Sequence, residues 1–257
     1  MIGWPLRMFS FSRFTLSEYI RSGRILVESL ALALVWYFFF SPSIASSLDE
    51  AQFFKVAGIF IPLLAAYTTA MIMGLGTRPQ GYVVLGRALG RTGYLIGLYM
   101  AAIIVAMFIY LVLFVYVLVL VQSVAQPATF SLDRWILGTL PLLLNTAIVA
   151  GFTTLMTPLV ITKGWRLIIL CLLLAGAGGL NASMNSIGIN SSGEALGRIL
   201  SLAGIVVMPV ASGYVLPVGG GFDRPAIEVI LGQIAMMLVL LALMLFAFCR
   251  RELIFRS

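Results

Sequence analysis

Side chains with the chemistry of a catalytic or metal-binding site are scarce in this 257-residue sequence, which contains no histidine. The two cysteines, Cys171 and Cys249, both lie within apolar runs. Histidine is the commonest general base and metal ligand, so Ser-His proteolysis, an HExxH zinc site and haem ligation through histidine are excluded. A GxxxxGK[ST] phosphate-binding loop is also missing from the sequence, so the chain alone does not hold ATP as P-loop proteins do. We therefore expect no catalytic residues, no metal and no bound cofactor in this chain.

Two carboxylates occur inside long apolar segments, Glu28 near the start of the first and Glu228 near the start of the last. Ion-coupled carriers commonly keep an ionisable residue near the middle of the membrane, and neither carboxylate occupies such a position. A secondary carrier is therefore disfavoured. Glu28 follows Arg24 by one helical turn and Arg21 by two, so the spacing favours a charge pair between Arg24 and Glu28.

A basic segment between the second and third apolar runs contains Arg78, Tyr82, Arg87 and Arg91. Arg87 and Arg91 share one face of a short predicted amphipathic helix, which could dock into a groove on a soluble partner. The same residues also fit an ordinary positively charged inner loop. Composition alone favours the loop.

A few polar side chains lie within or beside the later apolar runs and are candidates for a translocation path: Asn145, Thr146, Thr153 and Asn181. In lipid, Asn and Thr also hydrogen-bond between neighbouring helices. Helix packing is therefore the simpler interpretation, and contact with a transported molecule is the second.

The composition indicates the protein class, because 61% of the residues are hydrophobic and only 10% are charged, with a mean hydropathy of +1.10. Soluble domains are about a quarter charged, so much of this apolar surface must face lipid. Crossing a bilayer takes roughly 20 apolar residues. The sequence predicts an all-α polytopic membrane protein with spans at 25–44, 56–75, 94–121, 135–161, 167–187 and 226–249.

A further apolar run, residues 199–218, contains Pro209 and Pro217, which disfavour a straight lipid-exposed helix. With six spans and both termini cytoplasmic, twelve of the 16 basic residues lie inside, whereas a seventh span reduces that number to ten. The positive-inside rule therefore favours six spans, with 199–218 as a re-entrant or short extracellular element. The basic residues form no continuous tract between the apolar blocks, so we expect no nucleic-acid binding.

Residues 1–24 alternate aromatic and basic side chains, which predicts a cytoplasmic amphipathic segment at the membrane interface. Thr15 and Glu18 have the spacing of a capping box, which predicts a helix start at Thr15. The run 25–40 followed by small residues also has the form of a signal peptide. The long basic segment before it favours retention as the first span.

The order of these features resembles the permease subunit of ABC-2 type ABC transporters. Residues 85–97 are similar to the family's basic entry into its third helix, and residues 246–255 to the close of its sixth. The resemblance implies an N-terminal amphipathic helix, then one transmembrane domain over 25–257 with six helices and both termini cytoplasmic. It also implies a cytoplasmic coupling helix between helices 2 and 3, and short re-entrant helices between helices 5 and 6. The chain departs from the family in its short inner loop, Thr162–Trp165, and in having no large outer domain.

By this resemblance the chain is the plasma (inner) membrane subunit of an exporter that pairs with a second permease copy and a separate cytosolic ATPase. That ATPase would hold ATP and Mg²⁺ and would meet Arg78, Tyr82, Arg87 and Arg91. Glu28 would then pair with Arg87 or Arg91, as an alternative to Arg24. The lack of buried charge favours an amphipathic or hydrophobic cargo, such as a lipid-linked molecule, peptide or drug. A non-transporting membrane scaffold is the alternative from another class, followed by a secondary carrier.

Overall fold

The fold was obtained as a computed structural model. It describes residues 4–41, 49–76, 90–124, 132–161, 207–220 and 224–250, together with positions 164, 166, 167, 169 and 222. The long elements are all helices: α1 (Trp4–Arg21), α2 (Ile25–Phe39), α3 (Glu50–Gly76), α4 (Gly90–Val124), α5 (Leu132–Leu155), α6 (Val207–Gly219) and α7 (Arg224–Arg250). No strand occurs in this part of the chain.

Four of these helices, α3, α4, α5 and α7, are long and apolar enough to cross a membrane. The pair α1 and α2 makes a fifth span if the two bent helices are counted together. The predicted all-helical, multi-pass architecture is thus confirmed to this extent. The predicted fifth span, 167–187, and the predicted coupling helix both fall almost wholly outside the described ranges.

Helix α1 turns sharply into α2, with a bend of 74° between them. Gly23 has a φ of +72°, and its N–H donates to the Ile20 carbonyl, while Ser22 donates to Glu18. A left-handed glycine at the end of a helix lets the chain change direction without the steric penalty of a Cβ atom. We call the junction at residues 22–24 the elbow.

The helix boundaries differ from the predicted ones where local capping decides them. Helix α3 begins at Glu50, six residues before the predicted Val56, because the Asp49 carboxylate accepts the N–H of Gln52 at 2.7 Å and caps the first turn. Helix α5 ends at Leu155, short of the predicted 161, and turns follow around Pro158, which cannot continue the helix. Thr15 lies inside α1 and donates to the Phe11 carbonyl, so the predicted helix start there is wrong.

The helices form one bundle in which α3 packs against α4 and α5, α5 against α7, and α1 across α4. At one end, Tyr94 donates to the Gly76 carbonyl at 2.7 Å and Arg91 to the Cys249 carbonyl at 3.0 Å. This elbow end therefore joins the end of α3, the start of α4 and the end of α7, with α1 beside them.

The opposite end is closed by stacked aromatic rings, and we call it the aromatic end. Phe53 at the start of α3 packs against Trp135 at the start of α5, with ring centroids 4.8 Å apart. Phe40, Phe54, Tyr110 and Phe114 complete the cluster. Helices α3, α5 and α7 thus run from the aromatic end toward the elbow end, and α2 and α4 run the other way.

Candidate functional site

A carboxylate is buried at the elbow, where three helices meet. Glu28 is fully buried in the first turn of α2, and the Tyr19 hydroxyl of α1 donates to its Oε1 at 2.6 Å. The Thr68 hydroxyl of α3 donates to the same oxygen. Its Oε2 is buried and has no hydrogen-bond partner among the described residues. A single acceptor therefore ties α1, α2 and α3 together, and we call Tyr19, Glu28 and Thr68 the elbow cluster.

The predicted partners of Glu28 have other positions in the structure. Arg24 donates from Nη1 to the Met71 carbonyl of α3 at 2.9 Å, while Glu28 accepts from the two hydroxyls. Arg21 is exposed at the end of α1. Arg91 donates to the Cys249 carbonyl, and Arg87 lies outside the described ranges. Arg24 and Glu28 thus stabilise the same junction through different acceptors.

The elbow environment keeps Tyr19 in its neutral, hydrogen-donating form. Burial, and then the neighbouring Glu28 carboxyl group, raise the pKa of the Tyr19 hydroxyl well above its usual value. In the unfolded chain a tyrosine ionises near pH 10. The Tyr19–Glu28 bond therefore contributes stability below that pH, and loses it as the pH rises further.

Replacing Tyr19 with phenylalanine removes one donor from Glu28 and is expected to lower the free energy of unfolding by about 1–2 kcal/mol. At about 2–4 °C per kcal/mol, the thermal midpoint in detergent falls by a few degrees. Above about pH 10 the stability of the natural chain falls more steeply than that of Y19F, because only the natural chain must keep this hydroxyl protonated on folding. Tyr37→Phe, at a 64% exposed position of α2, is the matched control and leaves both quantities unchanged.

A second buried polar cluster joins α5, α6 and α7 in the middle of the bundle. Gln233 of α7 donates from Nε2 to Asn145 Oδ1 at 2.7 Å and to the Pro141 carbonyl at 3.0 Å. Asn145 in turn donates from Nδ2 to the Val210 carbonyl of α6 at 2.9 Å. Gln233 Oε1 is buried with no partner in the described part of the chain. We call Asn145 and Gln233 the amide pair.

Two glycines let α6 approach its neighbours closely enough to reach the amide pair. A Cβ on Gly213 would lie 1.9 Å from Gln233 Nε2, and a Cβ on Gly58 of α3 would lie 2.7 Å from the Tyr214 ring. Both distances are far below van der Waals contact. The lack of a side chain at these two glycines therefore allows α6 to pack directly against α3 and α7. Val218, near the end of α6, packs against the aromatic end of the bundle.

Among the predicted path residues that the structure describes, only Asn145 joins such a cluster. The Thr146 hydroxyl donates to the Leu142 carbonyl and the Thr153 hydroxyl to the Val149 carbonyl, each one turn earlier in α5. Both hydroxyls are therefore satisfied by their own helix. Asn181 lies outside the described ranges. Gln233 was not predicted as a site residue, although a lone amide within the apolar run of α7 could have indicated it.

The elbow end carries most of the described positive charge. Seven of the ten described basic residues lie there, and they are Arg7, Arg13, Arg21, Arg24, Arg91, Arg166 and Arg250. Lys55, Arg134 and Arg224 lie at the aromatic end. Arg250 stacks on the Phe246 ring at 4.3 Å, and Arg166 donates to the Ile161 carbonyl from both Nε and Nη2. Of the predicted coupling residues, Arg78, Tyr82 and Arg87 fall outside the part that the structure describes.

No protein-family model, no curated protein and no solved structure matches this chain. The described residues also contain no group of three or more His, Cys, Asp or Glu side chains that could hold a metal ion. What the described chain offers is a set of apolar helices, two buried polar clusters and a cationic end.

Proposed function

We propose that this chain is the membrane-spanning subunit of an ABC-2 type exporter and works with a separate cytosolic ATPase. The observation that carries the proposal is the order of elements: an amphipathic helix bent into the first apolar helix, long spans, and a short helix α6 before the last span. That order agrees with the one that the resemblance implies. The proposal rests on this order and on the sequence motifs, since no relative supports it.

Six spans fit the direction of the described helices. Helix α5 ends at the elbow end, and α7 starts from the aromatic end. These directions require an odd number of crossings between α5 and α7, and the prediction of one span at 167–187 with a re-entrant 199–218 meets that requirement. Pro209 and Pro217 both lie within α6, and proline disfavours a straight, lipid-exposed helix. Their positions support α6 as part of a re-entrant element.

The charge distribution supports a cytoplasmic elbow end. Basic residues near the ends of spans are enriched on the cytoplasmic side, and the elbow end has seven of the ten described basic residues. With this orientation α1 and the end of α7 both lie on the cytoplasmic side of the plasma (inner) membrane. Arg91 at the start of α4 then lies at the cytoplasmic surface, where the predicted coupling residues Arg78, Tyr82 and Arg87 precede it.

In this proposal coupling is mechanical. The partner ATPase holds ATP and Mg²⁺, and closure of its dimer moves the coupling segment of each permease copy. Arg91 is bonded to the Cys249 carbonyl, so a displacement at the start of α4 reaches the end of α7 directly. Helix α7 also carries Gln233, which donates a hydrogen bond to Asn145 of α5. Asn145 in turn donates to the Val210 carbonyl of α6. A path for an amphipathic or hydrophobic cargo would run past Asn145 between two permease copies.

Affinity purification of the tagged full-length chain in mild detergent tests this proposal. We expect a cytosolic protein with a P-loop to be recovered in a stoichiometric amount. Charge reversal of Arg87 and Arg91 to glutamate is expected to remove that protein, because both arginines would face it. The control is Arg134→Glu, an exposed position at the aromatic end, which keeps the ATPase bound.

Two results would count against the proposal. Repeated recovery with other membrane proteins and no ATPase favours the non-transporting scaffold. Transport by the reconstituted chain without any ATPase would favour the secondary carrier. If an ATPase is recovered equally with R87E/R91E and with the natural chain, the coupling assignment is wrong while the exporter proposal stands.

A further inference from the structure

Helix α1 has one face that the bundle covers and two stripes that it leaves open. Phe11, Thr15 and Tyr19, one turn apart, are buried, and Phe11 lies against Gly97 of α4 with no room for a Cβ there. The first open stripe has Leu6, Arg13 and Ile20, and the second has Arg7, Phe14 and Arg21. In each stripe the members are seven residues apart, about two helical turns, so each runs the length of the helix.

The open side of α1, which includes Phe9 beside the two stripes, combines large apolar side chains with arginines. Leu6, Phe9, Phe14 and Ile20 are 62%, 64%, 61% and 48% exposed. Arg7, Arg13 and Arg21 are exposed too, and none of the three side chains has a hydrogen bond or ion pair with another described residue. In water this surface would leave four large apolar side chains exposed to solvent. In the lipid interior it would leave three charges unpaired, so neither environment is favourable for the whole surface.

The position of α1 places this surface at the membrane boundary. The bend of 74° at the elbow turns α1 away from the direction of α2, so that it crosses the end of the bundle. Apolar side chains there can enter the acyl region while arginines reach up to the headgroups. The guanidinium group matches a phosphate with two parallel hydrogen bonds.

We infer that Arg7, Arg13 and Arg21 bind the headgroups of anionic phospholipids, with Leu6, Phe9 and Ile20 inserted beside them. The positive charge of this surface is complementary to a lipid with net negative charge. Its exposed apolar side chains favour such a lipid over an acidic soluble protein as the ligand. Since α1 holds Glu28 through Tyr19, lipid bound along α1 also holds the elbow cluster in place. The inference concerns the lipid surface alone and stands whether or not an ATPase is the partner.

The test uses the full chain reconstituted in vesicles of phosphatidylcholine and phosphatidylglycerol in equal parts. After mild extraction, the lipids retained by the protein are counted by native mass spectrometry. We expect phosphatidylglycerol to be enriched over phosphatidylcholine. Each basic residue near an anionic surface contributes about fivefold, so R7Q/R13Q/R21Q should lose roughly a hundredfold of that enrichment.

The control variant is K55Q/R134Q/R224Q, which removes the same charge from the aromatic end and should keep the enrichment. A third variant, R7K/R13K/R21K, keeps the charge but loses the planar fork, and is expected to retain only part of it. Arg13→Gln alone, with an expected loss of about fivefold, serves if the triple variant does not fold.

Equal loss in the two glutamine triples would overturn the inference, because the effect would then follow net charge. No enrichment in the natural chain would also overturn it. So would arginine-dependent capture of an acidic soluble protein by vesicles of phosphatidylcholine alone.

Discussion

Replacing Gly213 with leucine is expected to push α6 away from α5 and α7. We expect this variant to have a lower thermal midpoint than any other single glycine substitution in the described helices. Even a Cβ at this position would lie 1.9 Å from Gln233 Nε2 and 3.0 Å from Asn145 Oδ1, both buried in the bundle. Neither amide can move without breaking the bonds to Pro141 and Val210. Overpacking of this kind costs about 1–3 kcal/mol or more, and the broken hydrogen bonds add to it.

The control for this prediction is Gly232→Leu, one residue before Gln233 on the same helix. A Cβ on Gly232 meets no atom within 4 Å, so the midpoint should stay the same or rise slightly, since leucine has the better helix propensity. Thermal unfolding in detergent measures both. Equal losses in the two variants would show that Gly213 is not a point of close approach.

A double-mutant cycle separates the clash from other effects of the side chain. G213A/Q233A removes the atom that the new Cβ meets, so it should be more stable than the sum of its single variants implies, by about 1–3 kcal/mol. Additive losses would mean that alanine at Gly213 acts through something other than Gln233.

Hydropathy was enough to predict the long spans, because each of α3, α4, α5 and α7 must present apolar side chains to lipid and to its neighbours over its whole length. Boundaries were less accurate, since they depend on single capping groups such as Asp49. The predicted cap at Thr15 failed for a related reason. A threonine inside a helix can donate to the carbonyl one turn earlier, so the motif alone does not mark a helix start.

Partners that are distant in the sequence could not be read from local spacing. Glu28 and Arg24 have the spacing of an ion pair, yet Glu28 accepts from Thr68, forty residues away, and from Tyr19 across the elbow. The positive φ of Gly23 brings Tyr19 there, and a glycine in the sequence marks a possible helix end without giving the direction of the turn. Asn145 was predicted from its residue type, whereas its partner Gln233 is 88 residues away and depends on how α5 and α7 pack.

Replacing Glu28 with leucine is expected to release α1 from the bundle and to cost about 2–6 kcal/mol, because two buried hydroxyls lose their acceptor at about 1–3 kcal/mol each. Glu28→Gln keeps an acceptor oxygen for Tyr19 and Thr68, so its midpoint should stay close to that of the natural chain. Glu228→Leu is the matched control, since Glu228 also lies near the start of an apolar helix and is exposed.

Thermal unfolding ranks these variants, and limited proteolysis within α1 reports whether the helix has detached. If α1 is held by the elbow cluster, only Glu28→Leu exposes it, and Thr68→Val together with Tyr19→Phe reproduces that exposure with Glu28 present. If Glu28→Gln is as damaging as Glu28→Leu, hydrogen-bond acceptance is not enough, and the negative charge itself must hold the junction. Equal effects of Glu28→Leu and Glu228→Leu would show that α1 is fixed by its contacts with α4 instead.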